Sequence, residues 1–193
     1  PCSGRVLHTL NIRLFPDDIV YIADHAEDEV VFVDRSLLKV FWPLRERLST
    51  VKHVVVMDDG VPEEIPDGVL DYETLLADAS PADFPVLDDE NRAAAMCYTS
   101  GTTGHPKGVV YSHRSTVLHS MGSLVTDAAG VSARDTIMPV VPMFHANAWG
   151  LCPAAVMAGS ALARPGGSLQ PDGVGAAVDA GQGTAAGGVA AAS

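Results

Sequence analysis

The chain has 193 residues, 47% of them hydrophobic and 19% charged, which is ample material for a packed core and too little charge for a disordered chain. Twelve Lys and Arg against 24 Asp and Glu give a formal net charge of −12, which argues against electrostatic binding of nucleic acid or of an anionic membrane surface, since both need basic patches. Cys2, Cys97 and Cys152 are odd in number, far apart and without C-x-x-C spacing, so neither a disulfide framework nor a zinc site is indicated; no metal ligand is assigned, and a reducing cytoplasm is the expected compartment.

The first predicted element is a helix over 17–28, behind Pro16, with Asp17 or Asp18 capping its first turn and Asp24–Glu29 as a solvated face. Glu29–Asp34 follows as an apolar run expected of a strand buried on both faces, then Leu37–Leu48 at helical spacing with a break at Pro43. Lys52–Met57 is a second strand, Asp58–Pro66 a loop, Asp71–Ala79 a short helix and Ser80–Glu90 a Pro/Asp-rich connection. Ala93–Tyr98 and Val109–Ser112 are strands, His113–Ala128 a helix, and Asp135–Val141 a strand broken at Pro139. Ala146–Ala158 is a helix containing Pro153, and Ser160–Arg164 a strand. The alternation of strands and helices predicts an α/β fold with mostly parallel sheets flanked by helices. The longest apolar run, Leu151–Ala163, includes Pro153 and Gly159 and is too short to cross a bilayer. Residues 1–164 form one partial domain; the last 29 residues hold eight Gly and eight Ala with no aromatic, Lys or Arg, and read as a low-complexity tail, disordered or frame-shifted.

Residues 98–109, Tyr-Thr-Ser-Gly-Thr-Thr-Gly-His-Pro-Lys-Gly-Val, are the most informative stretch. Glycines let a backbone bring successive N–H groups close to an anion, hydroxyls add donors, and one ammonium group supplies a point charge for phosphate oxygens. Thr99, Ser100, Thr102 and Thr103, with Gly101, Gly104 and Lys107, therefore make a candidate polyphosphate loop. It is not the G-x-x-x-x-G-K-[ST] loop: Pro106 replaces the second glycine and Gly108 the magnesium-binding hydroxyl. The bland alternative is a Ser/Thr/Gly-rich surface turn between a strand and a helix.

Ser100–Gly108, entered from Tyr98-Thr99, resembles the signature loop of the adenylate-forming superfamily of AMP-binding enzymes, which includes acyl-CoA synthetases, luciferase-like enzymes and peptide-synthetase adenylation domains. Pro142-Met-Phe-His-Ala-Asn-Ala-Trp-Gly150 resembles that family's aromatic-plus-histidine motif near the acyl site. His8–Asn11 and Asp18–Glu27 are similar to a stretch upstream in fatty acyl-CoA ligases. Resemblance covers about residues 6–164. It implies an incomplete N-terminal domain of the adenylate-forming fold, and since the chain opens on Pro1, an internal or truncated piece is expected.

What the resemblance implies is an AMP-forming acid–thiol ligase: a carboxylate is activated by ATP as an acyl adenylate, then passed to coenzyme A, with magnesium accompanying ATP. Fatty acid, ATP and coenzyme A are the expected partners, and a homodimer is left open for the full-length enzyme. Lys107 and the loop hydroxyls would hold the departing pyrophosphate. His145 would lie against the acyl carboxylate, a role the flanking motif favours over the alternative of a satisfied core side chain beside Phe144 and Trp149. Trp149 matches a residue that gates the acyl tunnel, or is core packing. His105 stands at a variable position and is expected to face solvent. His113 and His119 are not on one helical face, so they are discounted as a metal pair. After residue 164 there is no counterpart of the family's Tyr-Gly-x-Thr-Glu segment or of its C-terminal lysine, so this chain is expected to lack acyl-CoA synthesis by itself. An adenylation enzyme for an amino or aryl acid, and a non-enzymatic remnant that binds nucleotide weakly, are the alternatives.

Overall fold

Valine-rich runs between helices fold as the sequence dictates, into parallel strands. The computed structural model describes residues 2–99, 104–163 and the backbone of 185–187. Two compact units are formed: Leu10–Phe84 with Ser100–Gly108, and Pro1–Thr9, Pro85–Thr99 and Val109–Ser193. Ser100–Thr103 and most of the expected tail beyond Ala163 lie outside the described residues.

In the Leu10–Phe84 unit, α1 (Pro16–His25) starts on Pro16, whose missing N–H costs nothing in a first turn. Its N-cap is Phe15, without a side-chain cap; the expected capping by Asp17 or Asp18 is replaced by an Asp17–Arg47 ion pair at 2.6 Å. The sheet runs β2 (Val30–Asp34), β3 (His53–Met57), β4 (Leu70–Asp71), all parallel, with Val31 beside Val54 and Val33 beside Val56. Those four valines pack with Ala23 of α1 and with Leu38 and Phe41 of α2 (Leu38–Phe41). Pro43 breaks the following helix as expected: short 3₁₀ turns, Arg35–Leu37 and Trp42–Arg47, flank α2.

The expectation of a first strand buried on both faces fails. Val31 and Val33 are buried, but Val30 and Phe32 are 45% and 55% exposed, because β2 is an edge strand covered on one side only. Nor is Asp24–Glu29 merely a solvated face. The Asp24 carboxylate accepts the Ser49 N–H at 2.8 Å, and Glu29 pairs with Lys52. In α3 (Tyr72–Asp78) the cap is Asp71, which accepts the Thr74 N–H at 2.7 Å. Hydrogen bonds from Thr74 hold the Asp71 carboxyl below the usual range, so this cap is in place above the unfolded carboxylate's pKa and is lost as pH falls through the lowered one.

In the second unit β5 (Ala93–Thr99) is the middle strand of a sheet ordered β1 (Leu7–His8), β5, β6 (Lys107–Ser112). β1 runs parallel to β5, with Leu7 beside Ala95. Ser112 caps α4 (His113–Ser123) by accepting the Ser115 N–H at 3.0 Å. The helix stops short of the expected Ala128, where the Ser120 and Ser123 hydroxyls turn back onto backbone carbonyls and the chain loops to Gly130 at φ +61°. A further parallel sheet places β7 (Thr136–Pro139) between β8 (Ala161–Leu162) and β9 (Ala185–Gly187). The expected helix Ala146–Ala158 divides into a four-residue turn, α5 (Ala146–Trp149), and α6 (Leu151–Ala158). Pro153 sits in the first turn of α6, where its ring displaces no helical hydrogen bond. Ala155 of α6 packs on Val131 and on Ile137 of β7, and α6 also lies against α4.

Replacing the 2%-exposed Phe41 by Ala should destabilise its unit by about 3–5 kcal/mol. Val30→Ala, on the open face of β2, should cost no more than about 0.5 kcal/mol. Urea unfolding of the two variants checks both.

Candidate functional site

Strand β5 carries small residues inward: Ala94, Ala95 and Cys97 are all buried. Thr99 is its last residue and is exposed, at the point where the predicted loop begins. On the far side of the loop Gly104 has φ +96°, with open space where a Cβ would stand, so glycine is required there by backbone conformation and not by crowding. Pro106 is buried and Lys107 exposed as the first residue of β6. His105 is exposed as expected, but its ring also stacks on Tyr21, with centroids 4.6 Å apart. Of the predicted loop residues, Thr99, Gly104 and Lys107 are therefore placed; Ser100, Gly101, Thr102 and Thr103 lie outside the described residues.

The aromatic-plus-histidine segment has an unusual backbone. Ala146, Asn147, Ala148, Trp149 and Gly150 have φ of 46°, 50°, 53°, 55° and 67°, so α5 is a left-handed turn. Each non-glycine residue costs roughly 1–2 kcal/mol in that conformation, so four in succession persist only where neighbours hold them. His145 precedes the turn with ordinary extended backbone, its N–H donating to the Pro142 carbonyl at 3.0 Å, and its side chain is exposed. Trp149 closes the turn and is 38% exposed, so it is not a core tryptophan in this chain. The two predicted acyl-side residues thus flank one strained turn.

Three groups that sequence reasoning missed hold this turn. The Cys97 thiol donates to Asn147 Oδ1 at 2.6 Å. The Thr9 hydroxyl donates to the Met143 carbonyl at 2.9 Å and lies 3.5 Å from the Cys97 sulfur. His119 Nε2 is 2.9 Å from the Trp149 carbonyl, which can only accept, so the proton sits on Nε2. Burial, with Cys97 as a second cause, pushes the nearby Tyr111 phenol above its ordinary pKa, so it stays a neutral hydroxyl at pH 7. Asparagine and glycine, the residues most tolerant of left-handed backbone, were the available signal at 147 and 150.

Among the described residues no group of three or more His, Cys, Asp or Glu could hold a metal ion. A groove of about 200 Å³ between Trp42, Lys39 and Glu63 is lined by none of the predicted site residues. No helix of the described residues is long and apolar enough to cross a membrane.

The same α/β architecture occurs in solved ligases. A structure of a long-chain-fatty-acid CoA ligase from Rhodopseudomonas palustris, described as putative, superposes with TM-score 0.78 at 20% identity, covering 98% of this chain and 45% of that one. A family model described as AMP-binding enzyme matches residues 2–190, and the chain belongs to that family. Among curated relatives, 3-methylmercaptopropionyl-CoA ligase of Ruegeria pomeroyi is 50% identical over 171 residues, and long-chain-fatty-acid–CoA ligase of Thermus thermophilus is 48% identical over 171. The matches take in 86% and 89% of this chain but only 31% and 30% of those proteins, so the chain spans about a third of their length.

Asn147→Gly keeps the left-handed backbone accessible but deletes the acceptor of the Cys97 thiol, so it should cost about 0.5–1.5 kcal/mol. Asn147→Val, β-branched at φ 50°, should cost about 1–3 kcal/mol. Guanidinium unfolding of both variants measures the difference.

Proposed function

We propose that this chain is part of an ATP-dependent fatty acid–CoA ligase and carries its pyrophosphate loop and the acyl side of its adenylation site. The observation that carries the reading is the joint presence of Thr99–Lys107 and the turn bounded by His145 and Trp149, both rooted in strand β5, one by chain continuity and one through Cys97. Medium- and long-chain acids are favoured as substrates over amino or aryl acids, in keeping with relatives 47% and 48% identical that are named medium-chain and long-chain-fatty-acid–CoA ligases.

In the reaction a carboxylate oxygen attacks the α-phosphorus of ATP, the bond to the pyrophosphate oxygen breaks, and the thiol of coenzyme A then displaces AMP from the acyl adenylate. The loop contributes by position and charge: hydroxyls and N–H groups donate to the leaving pyrophosphate, and the Lys107 ammonium neutralises charge gathering on it. His145, exposed beside the turn, would hold the acid's carboxylate as a hydrogen-bond donor. Magnesium would arrive with ATP, held through the phosphates. A cytoplasmic setting and a homodimeric full-length enzyme complete the proposal.

Two outcomes are expected. ATP at 100 times its dissociation constant should stabilise the folded chain by about 2.7 kcal/mol, seen as a rise in Tm, and Lys107→Ala should abolish most of that rise, measured against the variant's own Tm without ATP. The 193-residue stretch by itself should also show no acid-dependent exchange of radiolabelled pyrophosphate into ATP, since it spans about a third of the length of its ligase relatives. An unchanged ATP response in Lys107→Ala contradicts the loop assignment, and robust exchange contradicts the assignment of a part-enzyme.

A further inference from the structure

His119 is used by nothing in the reaction as described, yet it lies directly against the end of the strained turn. Its Nε2 donates to the Trp149 carbonyl at 2.9 Å. A Cβ built on Gly150 would lie 2.4 Å from His119 Cδ2 and 2.8 Å from Nε2, so the imidazole fills the space where any side chain at 150 would stand. One ring therefore grips both ends of a single peptide unit, the oxygen of residue 149 and the α-carbon of residue 150. That peptide's orientation is the ψ angle of Trp149. The φ of Trp149 is 55°, far from the right-handed wells, so fixing its ψ fixes the direction of the Cα–Cβ bond from which the indole starts. The platform is firm: α4, which carries His119, packs along α6, which starts immediately after Gly150.

We propose that His119 is a positioning residue for the acyl side of the site: by clamping the Trp149–Gly150 peptide it sets where the Trp149 indole stands, and it acts on the fatty acid only through that indole. The acyl half of this inference rests on the function proposed above; the clamp itself does not. Glycine at 150 is required twice, for its positive φ and for the room the imidazole takes. A glutamine at 119 can place its Nε2 donor on the same carbonyl, whereas a leucine of similar bulk cannot.

The chain has two tryptophans, Trp42 and Trp149, in different units, so 5-fluorotryptophan labelling gives two fluorine resonances and the Trp42 signal is an internal control. His119→Leu and Gly150→Ala should each shift or broaden the Trp149 resonance and leave that of Trp42 in place, while His119→Gln keeps both at their wild-type positions. An unmoved Trp149 resonance in His119→Leu overturns the clamp; so does movement of both resonances that glutamine fails to repair, because that marks a general structural role. Titration with decanoate separates the two claims. It should move the Trp149 resonance of the wild-type chain, and His119→Leu should need about tenfold more of it, the scale of one lost hydrogen bond. No response of wild-type Trp149 to decanoate refutes the acyl-side assignment while leaving the clamp to be judged by the variants alone.

Discussion

The contacts of Cys97 and His119 with the left-handed turn are what the geometry of the His145–Trp149 segment depends on. A run of five residues with positive φ has no intrinsic reason to persist in an L-polypeptide. It persists here because a buried strand residue seizes its centre and a helix residue its end. The Thr9 hydroxyl, beside the same sulfur, ties down the Met143 carbonyl upstream of the turn. Strain held in this way is a means of presenting side chains in directions that ordinary helix or strand does not offer.

Strand β5 runs from this turn to the start of the glycine- and hydroxyl-rich segment. It lies between β1 and β6, and its buried alanines let neighbouring elements approach closely. Cys97 faces the turn, and two residues later Thr99 leads into the glycine- and hydroxyl-rich segment. The strand's period of two puts Cys97 and Thr99 on one face.

Much of the fold was legible in the amino-acid order because local forces agreed with it. Val54–Val56, Asp71 ahead of Tyr72, and Pro43 inside an apolar helical pattern each act through near neighbours, and each did what its chemistry predicts. Where long-range packing decides, the sequence was silent or misleading. Phe32 is apolar but open to solvent because β2 is an edge, a fact that no window of neighbouring residues contains. Asp24 looked like a solvated carboxylate because Ser49 and Thr50 are remote in sequence. The candidate site divides in the same way. His145 and Trp149 were found through a motif, but the left-handed turn between them was read as helix, since the residues that hold it, Cys97 and His119, lie 50 and 30 positions away.

The central claim is that the glycyl-hydroxyl segment after β5 is where polyphosphate binds. Amide chemical-shift mapping of the nitrogen-15-labelled chain during titration with ATP tests it most directly. The account predicts that the largest perturbations cluster between Thr99 and Gly108 and saturate together. Saturating shifts confined to other parts of the chain, with that cluster unmoved, would contradict it.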